Sequence, residues 1–550
     1  MWKKRIITLR ISILKIIEGI EGLKLSGRYW VLTLFSIIFI RNLLEGTLEY
    51  FRCITLVSKI ELSALRFFNH YPLFYLSLFL YILILLHLLT KETIKNLAKI
   101  LVTFWFIIWV PPILDFLISK GKGFVLDYPQ TLRQFLLGLP FLLNPFIKFG
   151  GVSPGIRVEI ALASICIFFY VIVKTRSAFK SLFAFVGLYL VCTLIGSLPL
   201  LFSEVSLSSG LFQKKPNILP FYQVFCSLKI PSEKMFALLY LFVIIPALLF
   251  TLYLYNKEKS LCILRHFRIL RSLHYGMLTI AGILLGHYLL GNNYPNFFEN
   301  PYNLISTLAI VLSVVFAFQF AKIINDIFDY KADEISKHIT PLTEGKISTI
   351  EYQIIGIIFL FLSLYLAVNV SYSAFLLVLF CCAISFLYSV PPLRLKKLPL
   401  ISVFLIAVIS LAVMWVGFSL FAGPDTFLKF PKRITYLVLL TISTSFNAKD
   451  LKDIEGDRAN GILTIPVILG DKIGRIIIAF LILGAYLCVP LILSIPFLFF
   501  PSILLGISSL FITLKKKKTD RVLLFLYLIF YLPLVVLGIS KHPDVLRYPP

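Results

Sequence analysis

Acidic residues are scarce in this chain: 27 Asp and Glu stand against 53 Lys and Arg, a formal charge of +26. Cysteine pattern is missing too. The eight cysteines (Cys53, Cys166, Cys192, Cys226, Cys262, Cys381, Cys382 and Cys488) form no CxxC pair and no metal-like Cys/His spacing, which argues against a zinc or redox module. Several fall in apolar stretches and read as small buried hydrophobes, with no disulfide expected. Charge of either sign is absent from helix-length runs such as 73–89 and 304–320. With 59% hydrophobic residues and a mean hydropathy of +0.93, these runs exclude a soluble domain and define an integral membrane protein. Residues 3–24 lack the usual secretory-signal form, because Arg10, Lys15, Glu18 and Glu21 interrupt them and no small-residue cleavage site follows. Leu9, Ile13, Ile16 and Ile20 share one helical face there, predicting an interfacial amphipathic helix.

What is present is a long series of candidate spans, about 16, most near the roughly 20 residues a bilayer core requires. A polar, basic connector from Asn256 to Arg271 divides them. The expected organisation is an all-α, polytopic helix bundle in two parts: a membrane region at 1–262 and a second at 263–550. The first has spans near 29–45, 72–90, 99–118, 134–148, 156–173, 179–202 and 235–255, and a long loop at 203–233. The segment 29–45 is short and carries Arg41 near its end, so incomplete spanning is expected there. Asp115, after Pro111-Pro112, reads either as lining a polar cavity or as a boundary residue. The second part has nine segments, near 275–291, 303–324, 350–369, 372–388, 400–421, 433–447, 473–492, 494–513 and 522–538.

Loop charge orients the second part. The even-numbered loops carry Lys331, Lys337, Lys346, Arg394, Lys396, Lys397, Lys449, Lys452, Arg458, Lys472, Arg475, Lys515 to Lys518 and Arg521. The odd-numbered loops carry Lys429, Lys432 and Arg433, so the count is sixteen against three. Positive loops mark the cytoplasmic side. The surplus charge is therefore read as topogenic, with attraction to anionic lipid and no nucleic-acid partner.

Within this basic, apolar background two acidic triads share one spacing: Asp326, Asp329 and Asp333, then Asp450, Asp453 and Asp457. On an α-helix, offsets of 0, 3 and 7 fall within roughly a 60° arc. Both triads follow even-numbered segments, so both emerge on one membrane face. Carboxylates at helix ends in a bilayer need compensation. Basic side chains supply it, giving a charge-paired network; so do divalent cations, and spacing alone leaves the two equal. Mg²⁺ is held by a few carboxylates together with phosphate oxygens. An apolar bundle opening beside such a site suits a charged head on a long greasy tail, as in a polyprenyl diphosphate. The stretch Tyr388-Ser389-Val390-Pro391-Pro392-Leu393-Arg394-Leu395-Lys396-Lys397 lies on the same face. Its Pro pair ends a span, and Arg394 and Lys396 are either topogenic or diphosphate ligands.

Three stretches together resemble the signatures of the UbiA superfamily of intramembrane prenyltransferases. They are Asn325-Asp326-x-x-Asp329-x-x-x-Asp333, the Tyr388 to Lys396 stretch, and Lys449-Asp450-Leu451-Lys452-Asp453-Ile454-Glu455-Gly456-Asp457-Arg458. The tail Gly461 to Gly470 agrees, and the resemblance covers about 265–540. It implies a nine-helix bundle and Mg²⁺-dependent prenyl transfer from a polyprenyl diphosphate to an unidentified aromatic or alcohol acceptor. With the loop orientation above, it implies release of diphosphate on the cytoplasmic side of the cell membrane. By position it implies that Asp326, Asp329, Asp333, Asp450, Asp453 and Asp457 hold Mg²⁺, with Asp326, Asp329, Asp453 and Asp457 catalytic. Asn325, Arg394, Lys396, Lys449 and Arg271 would bind substrate. His274 opens the same segment as Arg271, where head groups are expected; an interfacial packing residue is its other reading. One departure is Thr340-Pro341-Leu342, where many relatives read Arg-Pro-Leu. Two other function classes stay open: a cation-binding transporter, and a non-catalytic lipid-binding protein.

Overall fold

The structure, a computed structural model, describes residues 2–50, 69–121, 152–199, 232–291, 297–335, 338–398, 400–452, 454–459, 461–515 and 520–541. The expected span at 134–148, most of the 203–233 loop, and Asp453 lie outside them. Among the described residues there is no strand, and 13 helices are long and apolar enough to cross a membrane. The protein is an integral, multi-pass, all-α membrane protein. It divides into two compact units, residues 1–224 with 231–260, and 225–230 with 261–550.

The first unit holds α1 (Trp2–Glu21), α2 (Gly27–Glu45), α3 (Tyr71–Thr90), α4 (Ile94–Phe104), α5 (Val110–Ile118), α6 (Pro154–Thr175), α7 (Ala178–Gly196) and α8 (Ser232–Tyr255). Helix α1 packs on α4 and α6. Its buried face centres on Ile17, 5% exposed, whereas Ile16 is 61% exposed, so the expected apolar face is rotated by one residue. Polar anchors set that rotation. The Arg10 guanidinium donates to the Val173 carbonyl, and Lys99 donates to the carbonyls of Glu21 and Leu23 at the helix end, where a cation is favoured. Contrary to expectation, α2 does reach span length, because a π-turn, Gly46–Tyr50, prolongs it and Gly27–Leu48 is apolar enough to cross. Arg41 is accommodated by pairing: it is 1% exposed, bridges Glu45 at 2.6 Å, and sits 4.9 Å over the Tyr75 ring. Asp115 proves to be a helix cap. It is 1% exposed and accepts from the Ser153 hydroxyl at 2.5 Å and the Gly155 amide at 2.7 Å, satisfying the start of α6.

The second unit holds α9 (Ile269–Leu290), α10 (Pro301–Phe328), α11 (Tyr330–Ile335), α12 (Thr349–Val370), α13 (Tyr372–Ser389), α14 (Ile401–Ala422), α15 (Lys432–Ser445), α16 (Ile454–Ala459), α17 (Ile465–Leu469), α18 (Asp471–Leu493), α19 (Phe499–Lys515), α20 (Asp520–Leu526) and α21 (Leu532–Lys541). Seven of these begin or form span-length apolar helices; α15 is shorter, and α20 and α21 are joined through a π-turn. Starts follow capping chemistry. Ser348 and Glu351 form a capping box, and Ser371 both ends α12 and caps α13, making a tight antiparallel hairpin.

The tightest crossing joins α9 to α14. A β-carbon on Gly282 would lie 2.0 Å from the Met414 carbonyl oxygen, and one on Gly417 would lie 2.1 Å from that of Thr279. Backbone therefore meets backbone, the small-residue packing that holds helices together where lipid competes for apolar surface. This crossing fixes α9, whose first turns carry Arg271 and His274.

Candidate active site

The acidic stretches do not sit on unbroken helices. Helix α10 ends at Phe328, Asp329 caps it at φ −100°, and Asp333 belongs to α11. In the second stretch, Phe446–Leu451 is a 3₁₀ turn that carries Asp450, and Asp457 follows in α16. A local cause is visible. The Asn447 side chain donates to the carbonyls of Ser443 and Thr444, taking acceptors that a continuing α-helix would use. The single 60° arc expected from spacing is therefore replaced by two bent ends. They still face one another, because α11 packs on α16.

These ends border a cavity of about 1060 Å³. Asn325, Asp326, Asp329, Asp333, Lys396, Lys449, Asp450, Asp457 and Arg271 all line it. Arg394 is off the lining and turns to Asp329. Polarity along the cavity is graded by helix register. On α10, Lys322 to Asp329 lie at the polar end, and Val314 and Ala317 line deeper turns. On α9, Arg271 lies at the polar end, Leu278, Ala281 and Leu285 follow, and His287 and Tyr288 close the far end. From Arg271 to Leu285 the lining runs about 21 Å along the helix, and its apolar turns from Leu278 onward make up about half of that.

Two carboxylates of the first stretch, Asp326 and Asp329, are held by cations. Asp326, fully buried, accepts from Lys322 at 2.8 Å, Arg268 at 3.3 Å and the Tyr352 hydroxyl at 2.9 Å. Asp329 pairs with Arg394 at 2.8 Å and with Lys396. Lys396 also donates to Asn325 Oδ1 at 3.1 Å. Burial pulls the Lys396 ammonium below the ordinary lysine range, against the opposing pull of Asp329. Lys449 donates to the Tyr388 hydroxyl at 2.8 Å and stands 4.0 Å from Asp450. Asp333 lies 3.6 Å from His338. Four cations (Arg268, Lys322, Arg394, Lys396) thus surround two carboxylates (Asp326, Asp329), a local surplus of two positive charges. Thr340, at the position where an Arg was expected, is 1% exposed and its amide is held by the Thr343 hydroxyl at 2.8 Å.

Sequence reasoning passed over Arg268, Lys322 and Tyr352. Lys322 had a signal, since it precedes Asp326 by one helical turn. Tyr352 had none: it arrives from α12 through a buried cluster with Cys262, Ile323, Leu342 and Ile347.

A helical membrane bundle around a cavity, with acids and bases together at one end and an apolar depth, defines the class: an integral, multi-pass membrane protein with an amphipathic interior cavity. The family described as the UbiA prenyltransferase family matches residues 283–531. The chain is 30% identical over 224 residues to digeranylgeranylglyceryl phosphate synthase of Sulfolobus acidocaldarius, covering 39% of this chain and 79% of that protein. It is 32% identical over 215 residues to the chloroplastic 2-acylphloroglucinol 4-prenyltransferase of Humulus lupulus, covering 36% of this chain and 49% of that one. The chain thus spans about half the length of the curated hop relatives it matches. A UbiA homologue from Archaeoglobus fulgidus, solved bound to DMAPP and Mg²⁺, aligns over 52% of this chain and 100% of its own at 20% identity, with a TM-score of 0.38. This chain belongs to the UbiA prenyltransferase family.

Proposed function

We propose that residues 263–550 form a prenyltransferase domain. It moves a prenyl group from a polyprenyl diphosphate to an acceptor and releases diphosphate, with Mg²⁺, on the cytoplasmic side of the cell membrane. The observation that carries this reading is the graded cavity: a ring of paired acids and bases opening into an apolar depth. The head of a prenyl diphosphate matches the ring, and its chain matches the depth.

The donor set fits Mg²⁺. Asp326, Asp329, Asp333, Asp450 and Asp457 supply oxygen ligands around one cavity end, and Asp453 completes the second motif. Among the described residues no three His, Cys, Asp or Glu side chains gather into a metal cage. Mg²⁺ needs none, because it takes one or two carboxylates, keeps several waters and completes its shell with phosphate. When bound, Mg²⁺ neutralises diphosphate charge and stabilises the leaving group.

The protein groups do the rest. Arg268, Lys322, Lys396, Lys449 and Arg271 offer cations to the phosphate oxygens, Arg394 acts through Asp329, and Asn325 orients the head. These cations attract the departing diphosphate, on which charge builds in the transition state, more strongly than the bound substrate. The apolar walls, from Val314 and Leu278 downward, keep water from the allylic carbon. The acceptor attacks C1 of the prenyl group, and the C1–O bond to diphosphate breaks with its electron pair going to diphosphate. A transporter would place its carboxylates near the membrane midplane, not at helix ends.

The test is binding of a non-hydrolysable geranylgeranyl thiodiphosphate by the full chain in liposomes. Mg²⁺ should tighten it at least about tenfold, and Asp326→Asn with Asp453→Asn should remove that gain. Binding that is indifferent to both Mg²⁺ and the substitutions overturns the proposal.

A further inference from the structure

His274 lies on α9, three residues past Arg271 and so one helical turn deeper from the charged ring. Its side chain is 1% exposed and lines the cavity. Among the described residues, neither ring nitrogen has a hydrogen-bond partner. Its surroundings are aromatic: ring centroids stand 5.0 Å away at Tyr275, 5.4 Å at Phe446 and 5.7 Å at Tyr527. Buried polar atoms in proteins are almost always paired, so two open nitrogens on one cavity-lining imidazole mark a place where a ligand supplies the partner. Phe446 fixes the level, since it opens the 3₁₀ turn that carries Asp450 four residues later. The imidazole therefore stands just beneath the groups assigned to diphosphate, at the depth where prenyl C1 must lie if its head is in the ring.

We propose that His274 binds the hydroxyl of the prenyl acceptor and takes its proton, which makes the acceptor an alcohol or a phenol. This rests on the prenyl-transfer reading above. With an alcohol, the hydroxyl oxygen forms the bond to C1 as the C1–O bond to diphosphate breaks, the electron pair leaves with diphosphate, and the hydroxyl proton passes to the unprotonated ring nitrogen. With a phenol attacking through ring carbon, the hydroxyl proton passes to the same nitrogen as the C–C bond forms. The resulting ring ketone then loses its ring hydrogen as a proton to the released diphosphate, and its oxygen regains the proton from the imidazolium. Phe446 and Tyr527 supply the faces between which such an acceptor is held.

The experiment uses the full chain in liposomes with Mg²⁺, geranylgeranyl diphosphate, and either a glycerol-lipid alcohol or an acylphloroglucinol as acceptor. His274→Ala should lower transfer about 100-fold or more with whichever acceptor the native protein uses, as expected for loss of a proton acceptor. Thiodiphosphate binding should change by less than about threefold, so the loss falls in the acceptor step. Added imidazole should restore part of the rate in His274→Ala and none in His274→Gln, which fills the space. Which acceptor responds tells alcohol from phenol. Transfer by His274→Ala within threefold of native overturns the proposal, as does a loss of prenyl diphosphate binding parallel to the loss of transfer. A native protein that neither binds nor consumes prenyl diphosphate sinks the transferase reading itself, a distinct result.

Discussion

Replacing Gly417 by alanine should disrupt the crossing on which the cavity depends. The added β-carbon would lie 2.1 Å from the Thr279 carbonyl oxygen and 2.9 Å from the Ile283 nitrogen. An ordinary contact begins near 3.4 Å, so α9 and α14 must separate by more than an ångström; both obstructing atoms are backbone and neither can rotate away. Overpacking of this kind costs about 1–3 kcal/mol, and backbone obstruction places it toward the upper end. A loss of 2–3 kcal/mol is about a 30- to 150-fold fall in the folded-to-unfolded ratio. The control is Gly484→Ala on α18, where an added β-carbon meets nothing within 4 Å. There alanine should stabilise slightly, by about 0.5–1 kcal/mol, through its better helix propensity. Unfolding of both variants in mixed detergent micelles, followed by tryptophan fluorescence, measures the difference. Equal midpoints for the two variants would refute the backbone-contact argument.

Two further outcomes follow from buried polar partners. Tyr352→Phe removes the hydroxyl that donates to Asp326 at 2.9 Å and accepts from Lys322 at 2.5 Å; a hydrogen bond to a buried charge is worth about 1.5–3 kcal/mol, so turnover should fall about 10- to 100-fold, and a change within twofold would remove Tyr352 from the site. In the first unit, Glu45→Ala leaves Arg41 buried without its 2.6 Å partner and should cost about 3–5 kcal/mol, whereas replacing both by Met and Leu should recover most of it, read by the same unfolding assay.

Much of this architecture was legible because helix starts and bilayer-length runs are local properties. Ser348, Ser371 and Ser153 cap their helices with their side chains, and the observed helices begin and end within six residues of the expected segments that the structure describes. The acidic stretches were legible as a duplicated spacing against a background poor in acids. Their shape was not, because the bends at Asp329 and at Asn447 depend on which carbonyls each side chain takes. Nor was the role of Asp115: its partners Ser153 and Gly155 lie 38 and 40 residues away. Arg41 was misread for a related reason. A charge near a span's end suggests the membrane boundary, but pairing with Glu45 one turn on, and with the Tyr75 face from α3, keeps it buried. Tyr352 on Asp326 belongs to the same group, since long-range contacts carry no periodic signature.

In the proposed reaction the charged ring and the apolar depth act together on a prenyl diphosphate. This is tested most directly by incubating the full chain in liposomes with isotope-labelled geranylgeranyl diphosphate and a pool of lipid and phenolic acceptors, then following label and released diphosphate. A prenylated product and stoichiometric diphosphate are expected with Mg²⁺, and neither with a chelator or with Asp326→Asn. Undiminished product formation in the chelator or in that variant, or cation flux with no consumption of prenyl diphosphate, would contradict it.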